Sequence, residues 1–267
     1  MISGDFIEDY NGNLFPIKSY KRIISLVPSL TDLLFSFELD NSIVGVTKYC
    51  TYPSYARDEP RKVVGGTKNP DIDQIISLKP DIVLMNQEEN QRKHYDLLIN
   101  SKIPVFSTFP RSVLEAKSLF YDLQKLFCIN RNEKMVELEQ MLTETSKQIS
   151  TLKRKKLVFC PIWKNPWMSF NKDTFASSII EFCGGENIFN HSQDRYPKIS
   201  LDDVARAKPD IILLPDEPYN FQEVDRNELL KFLSPYCPKI EFLSGTFHWY
   251  SFIIIDSIKR LAGILLE

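Results

Sequence analysis

Three stretches of this chain gather aromatic side chains outside any helical periodicity. Tyr49, Tyr52 and Pro53 lie in TKYCTYP, Trp163, Trp167 and Phe170 in PIWKNPWMSF, and His248, Trp249 and Tyr250 in HWYS. Each stretch follows a short apolar run that reads as a β-strand, and open α/β sheets bind ligands beyond the carboxyl ends of their strands. Flat aromatic faces with a few polar groups suit a broad, largely apolar ligand. All three tryptophans of the chain fall in these loops. His248 adds an imidazole that could ligate a metal, whereas Cys50 is expected to pack as a small hydrophobe.

The inventory for catalysis is sparse. His94, His191 and His248 are the only histidines, and no HExxH, GxSxG, P-loop or GxGxxG fingerprint occurs. The chain is therefore expected not to be an enzyme. The alternative of another class is a tetrapyrrole metal chelatase or a hydrolase, with His248 working beside Glu186 or Glu181. Cys50, Cys128, Cys160, Cys183 and Cys237 are widely spread and form no CxxC pair, which excludes a compact zinc motif and a dense disulfide framework.

The elements that carry these loops repeat. NPDIDQIISLKPDIVLMNQE (69–88) and KISLDDVARAKPDIILLPDE (198–217) align without a gap, pairing Asp73 with Asp202, Lys79 with Lys208, Pro80 with Pro209, Asp81 with Asp210 and Glu88 with Glu217. A helix, a Lys-Pro-Asp turn and an apolar strand are thus used twice, which implies two similar lobes. Proline stops the helix and the aspartate can bond local backbone, so the turn reads as structural. Both copies end in a carboxylate just past a strand.

Between the copies, residues 131–153 carry the longest helical pattern. Met135, Leu138, Leu142, Thr145, Ile149 and Leu152 recur every three or four residues, Asn130 is a candidate N-cap, and Glu133 sits at the capping-box position. A helix of about 22 residues extends roughly 33 Å. The stripe is too short for a sustained coiled coil, and it reads as a connector between two halves. Around it, strands at 21–27, 43–46, 82–85, 104–107, 156–160, within KPDIILLPDEP (208–218) and at 240–243 alternate with helices at 31–39, 71–78, 91–100, 112–127, 174–183, 200–207 and 250–266. That alternation predicts an α/β fold: two lobes with mainly parallel sheets and flanking helices, bridged by a single long α-helix. The divisions are 1–110 for an N-terminal lobe, 111–154 for connecting helices and 155–267 for a C-terminal lobe.

Composition is that of an ordinary globular chain: 267 residues, 43% hydrophobic, 25% charged, net charge -2. The near-neutral balance lacks the basic excess of a general nucleic-acid binder. No run approaches the 18 or so apolar residues of a membrane helix. MISGDFIEDYNGN has neither a basic n-region nor an apolar run, so no signal peptide is expected within this sequence. That leaves a cytoplasmic location or a signal already removed.

Taken in order, RIISLVPSLTDLLF, VGVTKYCTYP, KVVGGTKNPDIDQIISLKPDIVL, FCGGENIF, RYPKISLDDVARAKPDIILL and HWYS resemble the helical-backbone substrate-binding proteins of ABC importers, most of all the cobalamin-binding branch. The resemblance covers nearly the whole chain. It implies two lobes joined by one rigid helix, a cobalamin or corrinoid ligand held in the cleft between them by the aromatic loops named above, and an ABC permease and ATPase as partner. It also implies a monomer in the periplasm or cell envelope that needs no cofactor of its own. One surface glutamate per lobe docks on the permease in this family. Glu88 and Glu217 match those places, with Glu89 able to substitute for Glu88. Ferric-siderophore or haem binding on the same fold is the alternative; anionic ferric chelates call for arginines, and Arg57, Arg92 and Arg195 are the nearest.

Overall fold

A short antiparallel ribbon, β1 (Phe6–Glu8) with β2 (Leu14–Pro16), opens the computed structural model, which describes residues 5–130, 132–234, 236 and 238–267. The chain then builds its first sheet from β3 (Ile23–Ser25), α1 (Pro28–Ser36), β4 (Ile43–Val46), β5 (Lys62–Val63), α2 (Ile72–Ser77), β6 (Ile82–Asn86), α3 (Arg92–Asn100) and β7 (Val105–Thr108). The strand order is β5-β4-β3-β6-β7, every pair parallel. Every residue of β6 is buried, as expected of a parallel strand covered on both faces.

Helix α4 (Val113–Leu126) and the 18-residue α5 (Glu133–Ser150) follow. Of the predicted stripe on α5, Met135, Leu138, Leu142 and Thr145 are buried, and Ile149 is half-buried. The second sheet uses β8 (Lys156–Phe159), α6 (Phe175–Phe182), β9 (Gly185–Asn187), α7 (Leu201–Ala207), β10 (Ile211–Pro215), α8 (Glu223–Phe232) and β11 (Lys239–Leu243), and α9 (Ile254–Leu266) closes the chain. Its order is β11-β10-β8-β9, again parallel throughout.

The chain divides into two compact units. Helix α5 carries it from one to the other, residues through Val136 grouping with the first and those from Glu137 with the second. The connector is not the only passage. Tyr250–Phe252 group with the first unit, where the Phe252 ring lies 5.7 Å from Phe37 and 5.3 Å from Phe120. Arg111–Val113 group with the second, where the Val113 amide donates to Ser178 Oγ at 3.1 Å.

The Lys-Pro-Asp repeat does one job twice. Lys79 and Lys208 both adopt left-handed backbone, φ 47° and 48°, ending α2 and α7. Two residues on, the Asp81 amide donates to the Arg22 carbonyl and the Asp210 amide to the Leu157 carbonyl, each at 2.8 Å. The Asp81 carboxylate accepts the amides of Lys21 and Arg22, and the Asp210 carboxylate accepts the Leu157 amide and the Arg154 guanidinium. Each turn thereby ties the strand it precedes to the entrance of the first strand of its own sheet.

Several boundaries move for local reasons. Helix α1 begins at Pro28 rather than Thr31, because proline at the first helical position lacks only an N–H that would have had no partner there. Helix α5 begins at Glu133, which displaces Asn130 and the expected capping box from its start, and Arg131 lies outside the described residues. Cys237 also lies outside them, while Cys50, Cys128, Cys160 and Cys183 are free thiols.

Candidate ligand-binding site

In the second unit, β8 stands between β9 on one side and β10 on the other, so the strand order reverses at the β8/β10 boundary while the strands stay parallel. Crevices of this kind lie beyond the strand ends at such a switch point. The loop after β8 carries Trp163 and Trp167, and the loop after β10 carries Tyr219 and Phe221. The structure brings the four rings together: Trp163 meets Tyr219 edge-on at 5.6 Å, Trp167 stacks on Phe221 at 5.8 Å, and Tyr219 lies 4.6 Å from Phe221. Trp163 is exposed and Trp167 half-buried, so the cluster offers aromatic surface to a ligand.

The tryptophan loop is held at both ends and in the middle. The Ile162 amide donates to the Met168 carbonyl and the Met168 amide to the Trp163 carbonyl, making a small hairpin. Ser169 Oγ donates to the Cys160 carbonyl at 2.8 Å, and the Ile199 amide donates to the Trp167 carbonyl at 2.9 Å. Lys164 ties the hairpin to α8 through Asp225 and Glu228, each at 2.6 Å, and its ammonium sits 5.5 Å from the Trp167 ring centre. Burial by itself would lower the Lys164 pKa; the hydrogen bonds to Asp225 and Glu228 outweigh it and raise it.

The other predicted positions fall differently. Phe170 is fully buried, and its carbonyl accepts from Asn187 Nδ2. Its ring packs in the interior of the second unit. Tyr250 is likewise buried, and groups with the first unit. His248 ends a 3-10 turn, Gly245–His248, past β11, with its ring edge-on to Phe247, and both His248 and Trp249 are half-buried.

In the first unit Tyr49 and Tyr52 are exposed and Pro53 is half-buried in the loop after β4. Buried Cys50 lies between the hydroxyls of Thr31 and Thr47, and burial pushes its thiol pKa up. Glu88 and Glu89 form the turn after β6, both amides donating to Asn86 Oδ1, and Lys68 Nζ donates to the Glu88 carbonyl. Glu217 is exposed in the matching turn after β10; desolvation by the packing around it, then the Asp216 charge, raise its pKa. Of the arginines, Arg92 pairs with Asp96, Arg57 donates to the Lys48 carbonyl, and Arg195 packs over Tyr196. Glu181 accepts from Asn190, and Glu186 is exposed in β9.

Tyr219 and Lys164 are the functional candidates that sequence reading passed over, and buried Phe221 backs the Trp167 ring from the core. The available signal was DEPYNF, two aromatics in the loop past an apolar strand.

Two parallel α/β units linked by a long helix, with aromatic loops past the strand ends, define a two-lobed binding protein. A family model described as periplasmic binding protein matches residues 23–233, and the chain belongs to that family. It is thus the substrate-binding component of an ABC importer. The vitamin B12-binding protein of Yersinia pestis (strain Pestoides F) is 28% identical over 205 residues, covering 74% of this chain and 71% of that protein. The crystal structure of the periplasmic vitamin B12 binding protein of Vibrio cholerae superposes with a TM-score of 0.75 at 19% identity, over 91% of this chain and 96% of that one. A periplasmic heme binding protein from Pseudomonas aeruginosa superposes with a TM-score of 0.77 at 18% identity, over 92% and 93% of the two chains.

Proposed function

We propose that this chain binds a cobalamin-type corrinoid as cargo and presents it to an ABC permease and ATPase complex. It does so as a monomer in the periplasm or cell envelope, with no catalytic step and no nucleic-acid partner. The observation that carries the reading is the four-ring cluster of Trp163, Trp167, Tyr219 and Phe221 at the switch point of the second sheet. A corrin is a broad disc with apolar faces and a polar rim, and exposed aromatic faces on a braced loop complement it at small entropic cost. The vitamin B12-binding relatives support the same ligand. Tyr49, Tyr52, His248 and Trp249 are further contacts in this reading, and Glu88, Glu89 and Glu217 are the permease-docking carboxylates.

The test is a fluorescence titration with cobalamin, haem and a ferric siderophore. Trp163, Trp167 and Trp249 are the only tryptophans, so emission reports on the proposed contacts directly. Cobalamin should quench emission saturably and with the highest affinity of the three. Quenching by haem or the siderophore alone would move the assignment to that cargo, and no quenching by any of them would overturn it.

A further inference from the structure

Among the described residues the two parallel sheets end on β5, β7, β9 and β11. Three of these edges are blunted by their own sequence: β5 is two residues long and opens on Lys62, β9 is three residues long around Glu186, and β11 carries Lys239 and Glu241. Shortness and charge discourage pairing with another chain. β7 reads Val-Phe-Ser-Thr, with neither charge nor proline, and yet all four residues are buried. Its cover is the β1–β2 ribbon. The Val83 and Gln87 amides of the β6 segment donate to the carbonyls of Pro104 and Thr108, so alternation along the strand turns the amide and carbonyl of Ser107 away from β6. Asp9 Oδ2 accepts the Ser107 amide at 3.0 Å, and the Tyr10 amide donates to the Ser107 carbonyl at 2.9 Å. That is the pairing of an added strand, with a carboxylate standing in for one carbonyl. Asp9 is itself buried, and its Oδ1 accepts the amides of Asn11 and Asn13, which shapes the turn. Gln87 Nε2 bridges Asn11 Oδ1 and Ser107 Oγ, while Phe15 and Tyr10 meet Phe106 and Phe109 edge-on at 5.1 and 5.2 Å.

We propose that the ribbon is an edge guard: it occupies the outward pairing groups of β7 and so excludes a second copy of this chain, whose own β7 would otherwise add edge to edge. An uncharged strand of β-branched and aromatic residues, open on one side, is a template for pairing, and two identical edges satisfy each other about a two-fold axis. The guard lies wholly within the first unit and works the same whichever cargo the protein carries.

The experiment releases the guard in the full chain and then disables the edge beneath it. Asp9→Asn leaves an oxygen for the Asn11 and Asn13 amides but sets an N–H group against the Ser107 amide, and Tyr10→Pro removes the donor to the Ser107 carbonyl. Adding Ser107→Pro takes away the outward donor of β7 itself, a position where proline breaks no bond to β6. Sedimentation across a concentration series reads the mass, and hydrogen exchange reads the amides of residues 105–108. The intact chain should keep the single-chain mass with slow exchange there. The double variant should rise toward twice that mass as concentration increases, and the triple variant should return to the single-chain mass. An intact chain that already pairs, or a triple variant that associates as strongly as the double, would overturn the proposal. So would a double variant that stays at the single-chain mass: with faster exchange, the opened edge does not recruit a second copy; with unchanged exchange, these bonds are not what covers it.

Discussion

Asp210 accepts the Leu157 amide and both terminal nitrogens of Arg154, and the Arg154 hydrogen bond above all lowers its pKa. A depressed carboxylate pKa contributes stability that is present above the unfolded value of about 3.9 and lost as pH falls through the folded value. Asp210→Asn should therefore cost about 1–2 kcal/mol at pH 7. The gap between variant and wild type should narrow as pH falls below about 4 and close only below the lower folded value, where both carry a neutral side chain. Urea unfolding at pH 7 and pH 3 reads it; a gap of equal size at both would show that the carboxylate charge contributes nothing. The same residue scale explains what sequence could foresee. A proline and an aspartate around a strand entrance have strong local preferences, and their structural role was legible. That Phe170 is buried was not, because its orientation depends on the hairpin formed by Ile162, Trp163 and Met168.

Elements with a pattern of their own were the readable ones. The parallel strands β6 and β10 are continuous apolar runs, Thr174 and Ser200 cap α6 and α7 as helix-starting residues do, and Gly184 takes the positive φ that ends α6. Strand β9 is Gly-Glu-Asn, whose composition carries no strand preference, so its pairing with β8 was not legible. The aromatic cluster was half legible for a related reason. Trp163 and Trp167 announce themselves by type, but their partners on the β10 loop come near only because β10 lies beside β8. Lys164 fastens that hairpin to α8, and Asp225 is only 3% exposed. Lys164→Met would leave a buried carboxylate without its cation, at a cost of about 3 kcal/mol. Equilibrium urea unfolding measures it, and a loss below about 1 kcal/mol would put the pair in the class of surface ion pairs.

For the whole molecule, the repeat places one exposed or half-exposed carboxylate in the matching turn of each unit: Glu88, with Glu89 beside it, and Glu217. Charges in such positions act by orientation and steering, not by ligand affinity. Replacing all three with alanine should leave the ligand affinity of the isolated protein unchanged, while ligand uptake through the matching permease falls well below wild type. Full uptake by the triple variant in a transport-dependent strain would remove these carboxylates from the docking surface.

The corrinoid reading rests on the exposed aromatic surface of the second unit, and Trp163 is its most accessible ring. Binding kinetics of cobalamin to wild type, Trp163→Ala and Trp167→Ala test it most directly. Each replacement should weaken affinity by about 1–3 kcal/mol, the range for losing an aromatic anchor, and the loss should appear in the dissociation rate. Both variants binding cobalamin with wild-type affinity and dissociation rate would contradict the account.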